Sequence, residues 1–218
     1  LNYILNNHFR PDPKTESKFY WYLFCKKYNL NHPSVYIVKQ NNIVYNYNSI
    51  NQKNYYVIKS LKGCHGDGII KLKGNKINSY VKKNNNIIIQ EFLKDKFNNT
   101  FRSFRLVTTY DGDIFQIFMT TSKNNFVVNG AQGGTITHNI GINYYDSSKI
   151  STAEKHLLNK YINKLSNIHK NDYNNCISIS WDLMFANNFN LFRLIPSSYR
   201  FEYFLTYAVV FRLMALVG

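Results

Sequence analysis

Asp111-Gly112 stands between two apolar-rich runs, Phe104 to Thr109 and Ile114 to Thr120. An Asp-Gly pair suits the left-handed backbone of a tight turn, so the two runs are expected to fold back on each other as a hairpin. A hairpin closed by so short a turn commits its sheet to antiparallel pairing. The other strong signals sit around it. Val35-Tyr36-Ile37-Val38, Tyr55-Tyr56-Val57-Ile58-Lys59 and Ile87-Ile88-Ile89 read as strands, as does Ile177 to Phe185. Asn187-Asn188 reads as a turn into Phe189 to Leu194. Ser151-Thr152-Ala153-Glu154 has capping-box spacing, and Leu157, Leu158, Tyr161, Ile162, Leu165 and Ile168 follow at helical intervals. A first helix is expected from Asp12-Pro13, running through Lys18 to Phe24 and stopping near Asn29. The order helix, strand, strand, strand, hairpin, helix, hairpin fits an α+β fold better than a doubly wound sheet.

A chain of 218 residues can build one sizeable core or two small lobes, and 44% hydrophobic residues suit a folded protein. The formal charge of +15 favours solubility and non-specific attraction to anions. Its basic residues are spread along the chain rather than gathered in one block, so a nucleic-acid partner is the lesser reading. Asparagine runs such as Asn84-Asn85-Asn86 are read as coding bias. Cys25, Cys64 and Cys176 form no CxxC pair, which argues against a disulfide framework and a structural zinc site. The run from Phe204 to Gly218 is apolar but short and broken by Arg212, so it is not expected to span a membrane. A reducing cytoplasm is the expected compartment.

The chemistry concentrates in Val57 to Ile69. A strand delivers Lys59, and Gly63, Gly66 and Gly68 follow at once. Glycines let backbone N–H groups approach phosphate oxygens, and a strand-borne lysine beside them adds a point charge. Neither GxxxxGK with a following Ser or Thr nor GxGxxG occurs, so this is not a P-loop or a Rossmann fingerprint. Cys64 and His65 lie in the loop without a specific role. His138, His156 and His169 lack metal-ligand spacing.

Lys18, Pro33, Lys59, the Gly63–Gly68 loop and Gln90-Glu91-Phe92-Leu93 occur in an order that resembles ATP-grasp proteins. The resemblance covers roughly residues 10 to 198 and implies an α+β ATP-grasp fold with ATP in the cleft between two small lobes. It implies that Lys18 and Lys59 contact the ATP phosphates and that the loop around Gly66 closes over them. The hinge Gln90-Glu91-Phe92-Leu93 would pair its backbone with the adenine edge. Phe104-Arg105-Leu106-Val107 before Asp111-Gly112 looks like the family's hairpin, with Arg105 as the candidate catalytic residue facing the triphosphate or an acyl phosphate. Asn99-Thr100-Phe101-Arg102, and Asn129 with Gly133-Gly134, resemble segments of the sugar-transfer-associated branch; only Lys123 stands where an arginine often follows the hairpin.

Mg²⁺ is implied as well, and there the pattern departs from the family. Asp182 fits the first metal ligand, but alignment of the next strand puts Phe192 and Leu194 where Glu and Asn belong. Glu202 lies too far along to stand in. Either metal-dependent chemistry has been lost or the last stretch is altered, by a frameshift or by divergence. The motif-free apolar tail points to the second. The expected organisation is a remnant N-terminal and linker region over 1–54, a small lobe over 55–93 and a large lobe over 94–218. The expected activity is ligase-like: ATP and an unidentified small carboxylate, or a sugar- or peptide-linked substrate, form an acyl phosphate that an amine or other nucleophile attacks. A nucleotide-binding pseudo-enzyme and a basic nucleic-acid-binding module are the alternatives.

Overall fold

The structure, a computed structural model, describes residues 17–62, 68–93, 101–122, 135–137, 150–174, 176, 178–185 and 192–196. Asp12 and Pro13 lie outside the described residues. The described part of the first helix, α1, is Lys18–Lys27. Ser17 caps it by accepting from the Phe19 N–H, and Lys26 and Lys27 complement the negative end of its dipole. Asn29, with φ of 48°, turns the chain out of the helix.

Strands β1 (Val35–Gln40) and β2 (Ile43–Asn46) form a hairpin the sequence did not announce. Asn41 and Asn42 close it with φ of 50° and 65°, the paired left-handed conformation of a two-residue type I′ turn. The Asn84–Asn86 run braces the turn: Asn86 Oδ1 accepts from the Asn41 N–H and Asn85 Oδ1 from the Asn42 N–H. Strand β3 (Tyr55–Ser60), β4 (Ile70–Lys73), helix α2 (Ile77–Lys83) and β5 (Ile87–Glu91) complete the first lobe. Its antiparallel sheet has the order β2-β1-β5-β3-β4 and therefore begins at Val35, upstream of residue 55.

Alternation gives this sheet two faces. Ile37, Tyr56, Ile58, Ile87 and Ile89 pack against Ile77 and Val81 of α2. Val35, Val38 and Ile88 pack against Tyr22 and Phe19 of α1. Lys59 stands in register with Ile88, and so it belongs to the α1 face. Lys39 is buried and donates to the Val81 carbonyl in the last turn of α2.

The second lobe is built on the expected hairpin, β6 (Phe101–Thr109) and β7 (Ile114–Ser122). Gly112 takes φ of 84° and donates to the Thr109 carbonyl, while Asp111 accepts from the Thr109 hydroxyl inside the turn. Strands β8 (Thr135–Thr137), β9 (Ser178–Phe185) and β10 (Phe192–Pro196) complete a sheet of order β10-β9-β6-β7-β8. Helix α3 (Thr152–Asp172) starts with the capping box read from sequence: Ser151 and Glu154 exchange side-chain and backbone hydrogen bonds. Its Leu158, Ile162, Leu165 and Ile168 cover the face formed by Phe104, Leu106, Ile117, Met119, Trp181 and Leu183.

That face also holds a satisfied polar chain. Trp181 Nε1–H donates to Thr108, the Thr108 hydroxyl donates to His169 Nδ1 at 2.7 Å, and His169 Nε2–H donates to the Cys176 carbonyl. These directions are those of a neutral imidazole, which burial favours by pushing the His169 pKa down. Helix α1 joins the lobes: Trp21, Phe24 and Cys25 enter the second core while Tyr22 and Phe19 close the first. Among the described residues no helix is long and apolar enough to cross a membrane.

Candidate functional site

Lys59 lies near the end of β3, where alternation has turned it toward the α1 face and away from the Tyr56–Ile58 side. Part of its surface meets solvent, yet the ammonium is surrounded by protein. Its pKa is pushed down to about 8, by desolvation first and by Lys18 next, with Asp182 opposing the shift. Three groups from α1, β3 and β9 therefore share one electrostatic environment. The backbone supports the same arrangement, since the Lys18 N–H donates to the Leu61 carbonyl at 2.9 Å. The first residue of α1 is thereby fixed two residues beyond Lys59.

Arg105 and Asp182 pair on the second sheet. They are register partners on β6 and β9, on the face away from α3. Arg105 Nε meets Asp182 Oδ1 at 2.6 Å and Nη2 meets Oδ2 at 2.8 Å, a bidentate pair in which both partners keep some exposure. Phe118, the register partner of Arg105 on β7, lies beneath its guanidinium, 5.7 Å from Cζ to the ring centroid.

Lys71 is a further cation on this side of the first sheet, and the sequence reading did not single it out. It is the register partner of Val57, so it shares the face of Lys59. Its Nζ lies 3.9 Å from the centroid of Phe92, tying β4 to the segment past β5. The signal available in sequence was parity: a lysine inside a short strand after the glycine loop, next to an edge already carrying Lys59.

Solved structures with this arrangement of lobes exist, although no protein-family model and no curated protein matches the chain. D-alanine–D-alanine ligase from Bacillus anthracis, complexed with ATP, superposes with a TM-score of 0.53 at 9% identity, over 84% of this chain and 54% of that one. The ATP-grasp ligase PsnB, complexed with a minimal precursor, gives 0.53 at 11% identity over 93% and 62%. D-alanyl-alanine synthetase A from Vibrio cholerae gives 0.54 at 12% identity over 92% and 66%. The chain has the ATP-grasp fold. It spans between 54% and 66% of the length of these three ATP-grasp structures.

Within that ATP-grasp framework the expected residues fall as follows. The charges of Lys18 and Asp182 act on Lys59, and Arg105 pairs with Asp182. Gly68 is left-handed, φ 68°, with open space where a Cβ would be, so the backbone angle is what its position demands. Gly63 and Gly66 lie outside the described residues, as do Cys64, His65, Asn99, Lys123, Asn129, Gly133 and Glu202. Gln90 is buried between Val35 and Val57, its partners on either side. Glu91 donates its N–H to the Ser34 carbonyl and accepts the Ser34 N–H on Oε1. Leu93 is buried.

Arg102 faces away from the cleft. It is buried and holds Glu154 at 2.7 Å, on the α3 side of the sheet. Strand β10 sets Ile195 across from Asp182 and Arg193 across from Met184, while Phe192 and Leu194 register with Phe185 and Leu183. Among the described residues no three His, Cys, Asp or Glu side chains gather where a metal could be held. Asp182 accepts one bond from Arg105 on each oxygen, and each oxygen keeps a further lone pair with which it could help to hold Mg²⁺.

Proposed function

We propose that the chain binds ATP in the cleft between its lobes and acts as a ligase-like protein. In this reading a small carboxylate, free or on a sugar- or peptide-linked substrate, becomes an acyl phosphate for attack by an amine or another nucleophile. The observation that carries the reading is the convergence of Lys18 and Lys59, from different elements, on one partly desolvated position. Two cations held together in a cleft repel each other, and a polyphosphate relieves that repulsion. Support comes also from the compared ligases, one of which is complexed with ATP.

In this assignment Lys18 and Lys59 hold the phosphates, the Gly63–Gly68 loop covers them, and Arg105 faces the transferring phosphoryl group. Their work is positioning and charge neutralisation. Because the Glu91 N–H is already donated to Ser34, it is not the backbone donor for the adenine edge. A reading without turnover is favoured by a separate observation, the absence of a metal donor set around Asp182 among the described residues.

Titration calorimetry with ATP tests the binding. Lys59→Met is expected to weaken affinity about tenfold or more. An anion at Lys59 raises its depressed pKa, so binding near pH 8 takes up protons, and the measured heat then depends on the ionisation enthalpy of the buffer. Absence of ATP binding overturns the proposal. Phosphate release on incubation with candidate carboxylates and amines separates the ligase-like reading from the one without turnover.

A further inference from the structure

We infer that the outer edge of β2 is a docking site for an extended, acidic segment of a partner protein, which adds to the first sheet as a further strand. The inference does not depend on the ATP-binding reading above.

Strand pairing leaves this edge open. β2 ends its sheet, with β1 on its inner side. Gln40 and Ile43 flank the two-residue turn, so they form a hydrogen-bonded pair, and pairing alternates from there. Val38 and Tyr45 bond to each other, and the Tyr47 N–H continues the alternation by donating to the Tyr36 carbonyl at 2.8 Å. Val44 and Asn46 therefore turn their N–H and C=O groups outward, where no described residue takes them up. Proteins commonly blunt such an edge with lysine, proline or a bulge. β4, at the other end of the same sheet, carries Lys71 and Lys73. β2 consists of Ile43, Val44, Tyr45 and Asn46, with no charge, no proline and no register shift against β1. Ile43, Val44 and Tyr45 are 55%, 41% and 46% exposed. An added strand covers that apolar surface while it supplies the missing ladder bonds.

Charge decides which strand fits. The basic residues are spread along the chain, but the carboxylates are not. Glu91 is the one acidic side chain among the described residues from 17 to 93, and it accepts from the Ser34 N–H. Cations flank the β2 edge on both faces of the sheet. On the α2 side, Lys82 and Lys83 are exposed in the last turn of the helix, and Asn85 and Asn86 just beyond them brace the β1–β2 turn. On the α1 side, Lys26 lies 5.5 Å from the centroid of the Tyr22 ring, which meets the Tyr47 ring at 5.7 Å between centroids. A segment that alternates aliphatic and acidic side chains answers both features, laying its backbone along Val44 and Asn46 and its carboxylates toward these lysines. A second copy pairing edge to edge would instead bring the same lysines to the seam, and like charges across it oppose pairing.

A fluorescein-labelled peptide of about eight residues alternating valine with glutamate, added to the full chain, tests this by anisotropy and by amide hydrogen exchange. The peptide is expected to bind. The Val44 and Asn46 amides are expected to exchange fast in the protein alone and slowly in the complex, while those of Ile43 and Tyr45, bonded inward already, stay slow in both. Methylating the peptide's amide nitrogens, or replacing its glutamates with lysines, is expected to weaken binding about tenfold or more. Val44→Pro removes an outward donor and no ladder bond to β1, and Lys82→Glu with Lys83→Glu reverses the flanking charge on an exposed helix end. Each variant is expected to melt near the wild type and to bind the peptide about tenfold more weakly. The inference is overturned by absence of peptide binding, by protection that does not alternate along β2, or by affinity unchanged in Val44→Pro. It is overturned as well by a dimer in light scattering that Val44→Pro dissolves, which would seat a second copy on the edge. Displacement of the peptide by an equal concentration of oligothymidylate would assign the lysines to nucleic acid and overturn it too.

Discussion

At Asn42 the backbone stands at φ 65°, and the other described non-glycine residues with positive φ are Asn29, Asn41 and Asn86. Asparagine tolerates this region because its short polar side chain hydrogen-bonds locally, where a β-branched residue would clash. The asparagine runs, read from sequence as coding bias, are turn chemistry at these points. Asn42→Val is expected to destabilise the protein by about 1–2 kcal/mol, whereas Asn42→Gly leaves stability within a few tenths of that of the wild type; urea denaturation midpoints check both. A loss on glycine substitution equal to that on valine would contradict the turn argument. Lys59 was legible as a strand-borne cation because a lysine ending an aromatic, β-branched run has few bland explanations. Its proximity to Lys18 was not legible from spacing, since forty residues of chain must fold before the two meet, and only the family-like order of motifs connected them.

Strands long enough to alternate were legible as elements. The burial of β6 switches at each residue from Phe101 to Thr109, and the Asp111-Gly112 turn registers it against β7. Strands β2 and β4 and helix α2 were missed because they are short and polar. Ile43–Asn46 is exposed throughout, Ile70–Lys73 alternates with lysines, and α2 has two apolar anchors, Ile77 and Val81, in seven residues. The capping box of α3 was found, but its second task was not. Glu154 also pairs with buried Arg102, which the sequence had offered as part of a branch-specific motif. Glu154→Ala should cost about 3 kcal/mol, since it removes the carboxylate partner of a buried guanidinium as well as the cap. Glu154→Gln keeps the cap's acceptor oxygen and should lose distinctly less; thermal denaturation of the two variants checks the difference, and equal losses would show that the cap's acceptor oxygen contributes nothing. The same parity that buries Arg102 turns Arg105 to the other face.

The whole molecule depends on α1. Its ten residues supply Trp21, Phe24 and Cys25 to one core and Tyr22 to the other, with Trp21 and Trp181 edge to face at 6.0 Å between ring centroids. Trp21→Ala is expected to cost about 3–5 kcal/mol and to lower the melting of both lobes together. Tryptophan fluorescence, which reports on Trp181, and amide exchange at Ile88 and Ile89, which reports on the first sheet, should then shift in step. Separate transitions for the two probes would contradict the dependence.

Lys18 is the opening residue of that shared helix, and this placement gives it mechanical leverage. An anion that grips it restrains a segment to which both halves are fastened, so a contact at one point dampens fluctuations on either side of the seam. Recognition and rigidity are in that sense anchored at the same residue.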